Sequence, residues 1–352
     1  MKSFKLAITG MVLGVAAVTF EPSNVQAEWP ERPITVVVMY GAGGGTDTVL
    51  RTIVGEMSKS TGWSINVINK PGNVGGKATK YVLGKKADGY TLLGAANYNK
   101  YASVMGHTTS RAWRDWQYMQ AANSLGSWAV RPDSKFKSFK DIIAAAKANP
   151  GTVSISTSGT GGLWHELAAV VAVSAGVTLK YVPYKGGKNA TLAGLNGETM
   201  IAGGGVHEHI EHIRAGKLIN MQQTGAKNIT LPNGTILKSV GNHLPQIKSQ
   251  LPFSGIYNLA MLRSVPKAIQ AKIQEAFVAG VKSDTFAKIA KKKYFDVDIR
   301  LGAEADRRAA QVEVSTAATF KQLNIKNAKS PAELGLPTPE NFGSWWSKNA
   351  PK

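Results

Sequence analysis

From Ile34 the chain alternates β-branched runs, glycine-rich turns and apolar residues at helical spacing. Ile34-Thr35-Val36-Val37-Val38-Met39 is the first run, and after Gly41-Ala42-Gly43-Gly44-Gly45 the apolar residues Val49, Leu50, Ile53, Val54 and Met57 follow. That pattern predicts one strand feeding one helix. Residues 64–68 predict a second strand, 78–83 a second helix and 90–93 a third strand. Short alternating units of this kind imply an α/β protein with a largely parallel sheet.

A second series begins at residues 127–130. Residues 139–148 read as an amphipathic helix ended by Pro150-Gly151, and a strand follows at 153–156. The turn 158–162 leads into a helix over 163–175, closed by Gly176, and then a strand over 178–182. Lys185-Gly186-Gly187 precedes a short helix ending at Asn196-Gly197. Residues 200–202 and a predicted turn at Gly203-Gly204-Gly205 lead to a helix that Gly216 stops. Residues 223–251, rich in Gly, Asn and Pro, predict a connecting segment; 256–262 is apolar, Pro266 opens a helix to Val281, and 303–323 is a further helix. No short period repeats, which excludes a solenoid.

The N-terminus changes the picture. Lys2 and Lys5 precede an uncharged apolar run over residues 6–20, and Val25-Gln26-Ala27 places small residues where a signal peptidase reads. An export signal over residues 1–27 is expected; the run of about 15 residues is short of the ~20 a membrane anchor needs. No later segment is apolar enough to span a bilayer, so a soluble exported protein is expected once the signal is removed. The chain has no cysteine, hence neither disulfides nor a lipid-accepting thiol. The mature chain, about 325 residues, is long enough for two domains with buried cores.

The formal charge of +20, falling by one when Lys2, Lys5 and Glu21 leave with the signal, favours encounter with anions. The lysines are scattered, the densest run being Lys291-Lys292-Lys293, and no stacking platform accompanies them. Nucleic acid is therefore not an expected partner.

Each glycine turn that precedes a helix places unpaired N–H groups at the positive end of the helix dipole, an anion seat. Residues 41–47 are the strongest instance, with Thr46 able to cap or to donate its hydroxyl. A dinucleotide fingerprint fails here, because Thr46 stands at the third glycine position and 67–71 lacks the acidic residue. No phosphate-loop motif occurs, and no cofactor is expected. A tight connection without ligand is the bland reading of any single turn. Turns in both halves, beyond the carboxyl ends of strands, point instead to a cleft lined with N–H donors.

Other chemistry is less well supported. His207, Glu208, His209, Glu211 and His212 crowd one helix start, but H-E-x-x-H is absent; an exposed polar helix end is expected first, a ligand-facing His207 or Glu208 next, and a metal site last. Ser134 and Lys137 match S-x-x-K in a charged loop without its companion K-T-G, and no G-x-S-x-G exists. No enzyme is expected. Trp63, Trp113, Trp116 and Trp128 read as packing residues, whereas Trp164, directly after a turn, is a candidate for stacking on an aromatic ligand.

The ordered motifs resemble the Bug-type periplasmic solute receptors of tripartite tricarboxylate transporters over essentially the whole mature chain. They are Trp29-Pro30-Glu31-Arg32-Pro33-Ile34, Gly43-Gly44-Gly45-Thr46-Asp47, Asn69-Lys70-Pro71-Gly72 with Gly75-Gly76, and Ala87-Asp88-Gly89-Tyr90-Thr91-Leu92-Leu93. Lys147-Ala148-Asn149-Pro150-Gly151, Ser158-Gly159-Thr160-Gly161 with His165, and Val182-Pro183-Tyr184-Lys185-Gly186-Gly187 continue the series. The resemblance implies two Rossmann-like α/β domains joined by crossing strands, a periplasmic binding protein that closes like a flytrap on a di- or tricarboxylate or an aromatic acid. Domain I is then 28–127 with 252–352, and domain II is 128–251. The implied ligand-binding residues are Tyr40, Gly41, Ala42, Gly44, Gly45, Thr46, Asp47, Asn97, Ser158, Gly159, Thr160, Gly161, His165, Tyr184, Lys185, Gly186, Gly204 and Gly205. The implied partners are a small carboxylate and the transporter's membrane subunits, for a monomeric receptor; presentation of the acid to a signalling sensor is the alternative. Met39-Tyr40-Gly41, residues 198–205 and residues 217–221 depart from the family's usual pattern, which signals a changed pocket wall.

Overall fold

The computed structural model describes residues 29–351; the predicted export signal, residues 1–27, lies outside them. The chain enters through β1 (Ile34–Val38), α1 (Gly45–Thr61), β2 (Ile65–Asn69), α2 (Gly76–Leu83) and β3 (Thr91–Ala96). β1 pairs in parallel with β2 and β3. Its side chains alternate between two cores: Val36 and Val38 pack with Leu50, Ile53 and Met57 of α1, while Val37 faces Ala78 and Val82 of α2. A strand buried on both faces reads as a continuous apolar run, which is what residues 34–39 show.

Two short helices, α3 (Lys100–Val104) and α4 (Ala112–Asp115), lead to β4 (Trp116–Val130), a strand of 15 residues. Only its last four residues were expected to be strand. Most of β4 is buried on both faces, so no polar alternation marks it in the sequence. Beyond it come α5 (Phe139–Ala148), β5 (Ser154–Thr157), α6 (Leu163–Ser174), β6 (Lys180–Pro183), α7 (Gly187–Leu195), β7 (Ala202–Gly205), α8 (Val206–Arg214) and β8 (Ile219–Gln223). Ser138 caps α5 by accepting from the Asp141 amide, with Asp141 accepting in return from the Ser138 amide.

The expected turn at residues 203–205 is instead strand β7, paired antiparallel with Gly126–Ala129 of β4. Glycine serves close packing there: a Cβ on Gly203 would overlap the Ser156 carbonyl oxygen. The segment expected to be a plain connection holds a two-stranded ribbon, β9 (Ile229–Thr230) with β10 (Ile236–Leu237). The chain then returns through β11 (Ser254–Leu262), α9 (Lys267–Val281), α10 (Asp284–Lys293), β12 (Asp296–Arg300), α11 (Gly302–Gln322) and α12 (Phe342–Asn349). α10 and β12 were not foreseen, since α10 buries only Phe286 and Ala290 and β12 is a charged edge strand.

The sheet runs β12-β4-β11-β3-β1-β2, with β7 and β8 also on β4. β11 pairs with β4 from Trp116 to Leu125, and β7 and β8 take over from Gly126 to Val130. One long strand therefore carries two sets of partners, and the exchange falls between Leu125 and Gly126.

Candidate ligand-binding site

The turn after β1 is built around Gly43, whose φ of 76° suits a residue without a side chain. Its amide donates to Asp47 Oδ2 at 2.9 Å, while Asp47 Oδ1 accepts from Arg51 at 2.6 Å and from Asn69 at 2.8 Å. Burial would raise the Asp47 carboxyl, but the Arg51 guanidinium and the Gly43 and Asn69 donors hold it below the ordinary aspartate value. Asp47 thus braces the turn from behind. Gly44 is the N-cap, so Thr46 is the second helical residue, which leaves the second of its two expected roles, donation of its hydroxyl. The amides at the start of α1 have no intrahelical acceptor and face a cavity.

Two further turns meet this one. After β5, Ser158 Oγ accepts from the Trp164 amide at 3.4 Å, and Leu163 and Trp164 begin α6. After β6, Lys185 and Gly186 precede α7, whose first residues are Gly187, Lys188 and Asn189. The three turns enclose a cavity of about 50 Å³, roughly four waters' worth, lined also by Ala96, Asn97, Glu208 and Tyr257. A wider cleft of about 710 Å³ adjoins it, sharing Tyr40, Ser158, Lys185, Gly186 and Asn189 and adding Val74, Lys77, His107, Gly159, Thr160 and Tyr184. Asn97, Tyr98 and Asn99 in succession, and Val74 beside the cleft, have φ between 44° and 55°. Such conformations cost energy in tyrosine and valine and are held by their surroundings; Asn97 Oδ1 accepts from the Ile256 amide, and Asn258 Oδ1 from the Tyr98 amide.

The cavity is charged on both sides. Lys185 and Lys188 line it, and so does the carboxylate of Glu208, on the first turn of α8. Glu208 Oε2 accepts from the Gly205 amide at 2.9 Å, and Oε1 stands 3.6 Å from His207 Nε2. Burial alone would raise this carboxyl, yet His207 and the Gly205 amide hold it below the ordinary glutamate value. Tyr257 closes the inner wall, its hydroxyl 3.0 Å from Ser124 Oγ and 3.1 Å from His207 Nε2. The Tyr40 hydroxyl is buried without a hydrogen-bond partner, and burial together with the Glu208 charge pushes its ionisation up.

Ten of the expected residues line the inner cavity: Tyr40, Gly41, Ala42, Gly44, Gly45, Thr46, Asn97, Ser158, Lys185 and Gly186. Gly159, Thr160 and Tyr184 line the outer cleft. Asp47, Gly161, His165, Gly204 and Gly205 line neither. His165 was expected to bond ligand; its Nδ1 instead accepts from the Gly161 amide at 3.0 Å, and its ring rests on Tyr181. Gly204 and Gly205 are paired in β7. Ala96, Leu163, Lys188, Asn189 and Tyr257 line the cavity without having been expected there, and Gly187 was marked only as part of its turn; the lysine after Gly186-Gly187 was the one available signal. Trp164 lines the cavity, while Trp113 packs against Trp345 and Trp346, and Trp128 against Phe139. Among the described residues, no group of three or more His, Asp or Glu is arranged to hold a metal, and no helix is long and apolar enough to cross a membrane.

Residues 49–326 match the family model described as the tripartite tricarboxylate transporter family receptor. A Cupriavidus necator protein, the UPF0065 protein in the gbd 5′ region, is 31% identical over 279 residues, 77% of this chain and 81% of that one. Protein BugT of Bordetella pertussis is 28% identical over 60% of this chain and 66% of its own. Among solved structures, the periplasmic binding protein BugD superposes with a TM-score of 0.77 at 22% identity, over 86% of this chain and all of that one. MatC from Rhodopseudomonas palustris with bound malate gives 0.73 at 20% identity, over 84% and 99%. R. palustris Rpa4515 with adipate gives 0.76 at 21% identity, over 85% and 99%. At these identities the structural likeness establishes the fold alone, the α/β architecture these binding proteins share.

Proposed function

The chain belongs to the tripartite tricarboxylate transporter receptor family, and from that premise we propose that it captures a small carboxylate in the periplasm and delivers it to the membrane subunits of such a transporter. The observation that carries this reading is the meeting of the α1 N-terminus with the turns after β5 and β6 around one cavity that also holds Lys185 and Lys188. Unpaired amides at a helix start are fixed dipoles that favour a carboxylate without reorganising. The malate and adipate held by the two R. palustris neighbours support the same ligand class.

In this reading residues 28–127 and 252–352 form one lobe, residues 128–251 the other, and the exchange of partners at Leu125/Gly126 marks the hinge. Thr46, Ser158 and Asn97 supply side-chain hydrogen bonds, and Trp164 and Tyr257 exclude water. Domain closure, rather than covalent chemistry, is the working step, and the receptor acts as a monomer.

A thermal-shift panel of mono-, di- and tricarboxylates with matched amides tests the assignment. A ligand at ~100 times its Kd adds about 2.7 kcal/mol of stability. At least one acid is expected to raise the midpoint while its amide does not; a panel in which no acid does so overturns the assignment. Co-purification with membrane subunits of a tripartite transporter tests the delivery step.

A further inference from the structure

Glu208 is an anion inside a cavity assigned to an anion. Its carboxylate lines the wall contributed by α8 and lies against Gly187, the first residue of α7, where a Cβ would overlap both carboxylate oxygens. The start of a helix in the second lobe, otherwise a seat for an external carboxylate, is thus filled by one of the protein's own. Glu208 is 7% exposed at its side chain, and among the described residues its carboxylate has His207 as ion-pair partner and no lysine or arginine side-chain nitrogen. His207 stands at 3.6 Å, beyond hydrogen-bond range, and the Gly205 amide occupies one oxygen. A buried carboxylate with spare acceptor capacity is stable when a cation or a donor completes it. The Tyr40 hydroxyl, on the same cavity, is buried without a hydrogen-bond partner.

The rest of the lining differs. The α1 amides and Lys188, whose Nζ would stand 2.9 Å from a Cβ on Gly43, offer positive potential. The cavity therefore carries charge of both signs, and a ligand with a carboxylate at both ends would set one of them against Glu208. We propose that Glu208 receives a protonated amine, and that the solute is a small zwitterion with its carboxylate on the α1 amides and Lys188 and its ammonium on Glu208. This rests on the carboxylate reading above and narrows it.

The competing role for Glu208 is structural, since it sits at the third position of α8 and accepts from the Gly205 amide as a capping residue does. Glu208→Gln separates the two, because glutamine can still accept from that amide but carries no charge. The experiment is calorimetric titration of the purified mature protein and of E208Q. Probes are glycine, β-alanine, 4-aminobutanoate, aspartate and glutamate, each beside its deaminated acid and its hydroxy acid, with succinate and adipate added.

An amino member is expected to bind the wild type at least about tenfold more tightly than its deaminated and hydroxy counterparts. In E208Q, with its melting temperature retained, that preference is expected to fall to within about twofold. The inference is overturned if simple or dicarboxylic acids bind the wild type as tightly as their amino counterparts, or if E208Q keeps the preference. If no acid of any series binds, the carboxylate reading itself falls, and the inference with it.

Discussion

Gly44 and Gly45 are neighbours at the mouth of α1 with opposite tolerances. The nearest atom to a Cβ on Gly44 is the Gly41 carbonyl oxygen at 3.4 Å, and φ is −79°, so a side chain fits the backbone and occupies the cavity. Gly44→Val is expected to abolish ligand-induced stabilisation while shifting the unliganded protein by less than about 0.5 kcal/mol, read by thermal shift with and without a bound acid. A Cβ on Gly45 would instead overlap His207 Nε2 and the Tyr257 hydroxyl. Gly45→Ala must displace the contact between α8 and β11, and is expected to weaken ligand binding and destabilise the unliganded protein by about 1–3 kcal/mol. Equal effects of the two variants would contradict this account of the turn.

At the scale of elements, α6 both lines the cavity and ties itself to the facing elements. Glu166, two residues beyond Trp164, accepts from Lys100 at 3.2 Å, from Tyr101 at 2.5 Å and from Thr316 at 2.6 Å. The ion pair is buried, and burial lowers the Lys100 ammonium's affinity for its proton, with Glu166 opposing. Glu166→Gln leaves that ammonium without a counter-charge and is expected to cost about 3–5 kcal/mol in urea denaturation. The Lys100→Met/Glu166→Met double variant should recover much of the loss. Glu211, more exposed and facing Lys293 at 3.4 Å, is expected to cost under about 1 kcal/mol when replaced by Ala.

The same elements show what the sequence could disclose. The turns at 41–46, 158–160 and 185–186 were legible because glycines and helix starts are local signals. Glu208 was marked as able to face a ligand, but Tyr257 was not, because only the pairing of β4 with both β7 and β11 brings Tyr257 beside it. β4 itself was seen only at its end, since a strand buried on both faces lacks alternation, and Gly203–Gly205 mimicked a turn because close packing and tight turning both select glycine.

At the scale of the whole molecule, stability should respond to acid in two stages. Burial depresses His165 and His209 to about 4, well below the ordinary 6.5, the Glu166 and Glu208 charges opposing in each case. Between pH 6.5 and 4 the unfolded chain binds protons at both positions and the folded chain does not, so stability falls as pH falls through that window. Each histidine contributes up to about 1.4 kcal/mol per pH unit. Burial raises Glu313 and Asp306, which take up protons earlier in the fold than in the unfolded chain and offset part of the loss near its lower end. Asp47, Asp115 and Asp298, held low against burial by arginine partners and other hydrogen-bond donors, contribute stability present above 3.8 and lost only at lower pH. Unfolding free energies from urea titrations at pH 7.5, 5.5 and 4.5 are therefore expected to decline by a few kcal/mol in total. His165→Gln should flatten part of that decline, because glutamine takes up no proton in either state, while His209 and the likewise lowered His107, His212 and His243 keep their share. An unchanged slope in this variant would mean that His165 is protonated in the folded protein at these pH values, and that its bond from the Gly161 amide does not survive in solution.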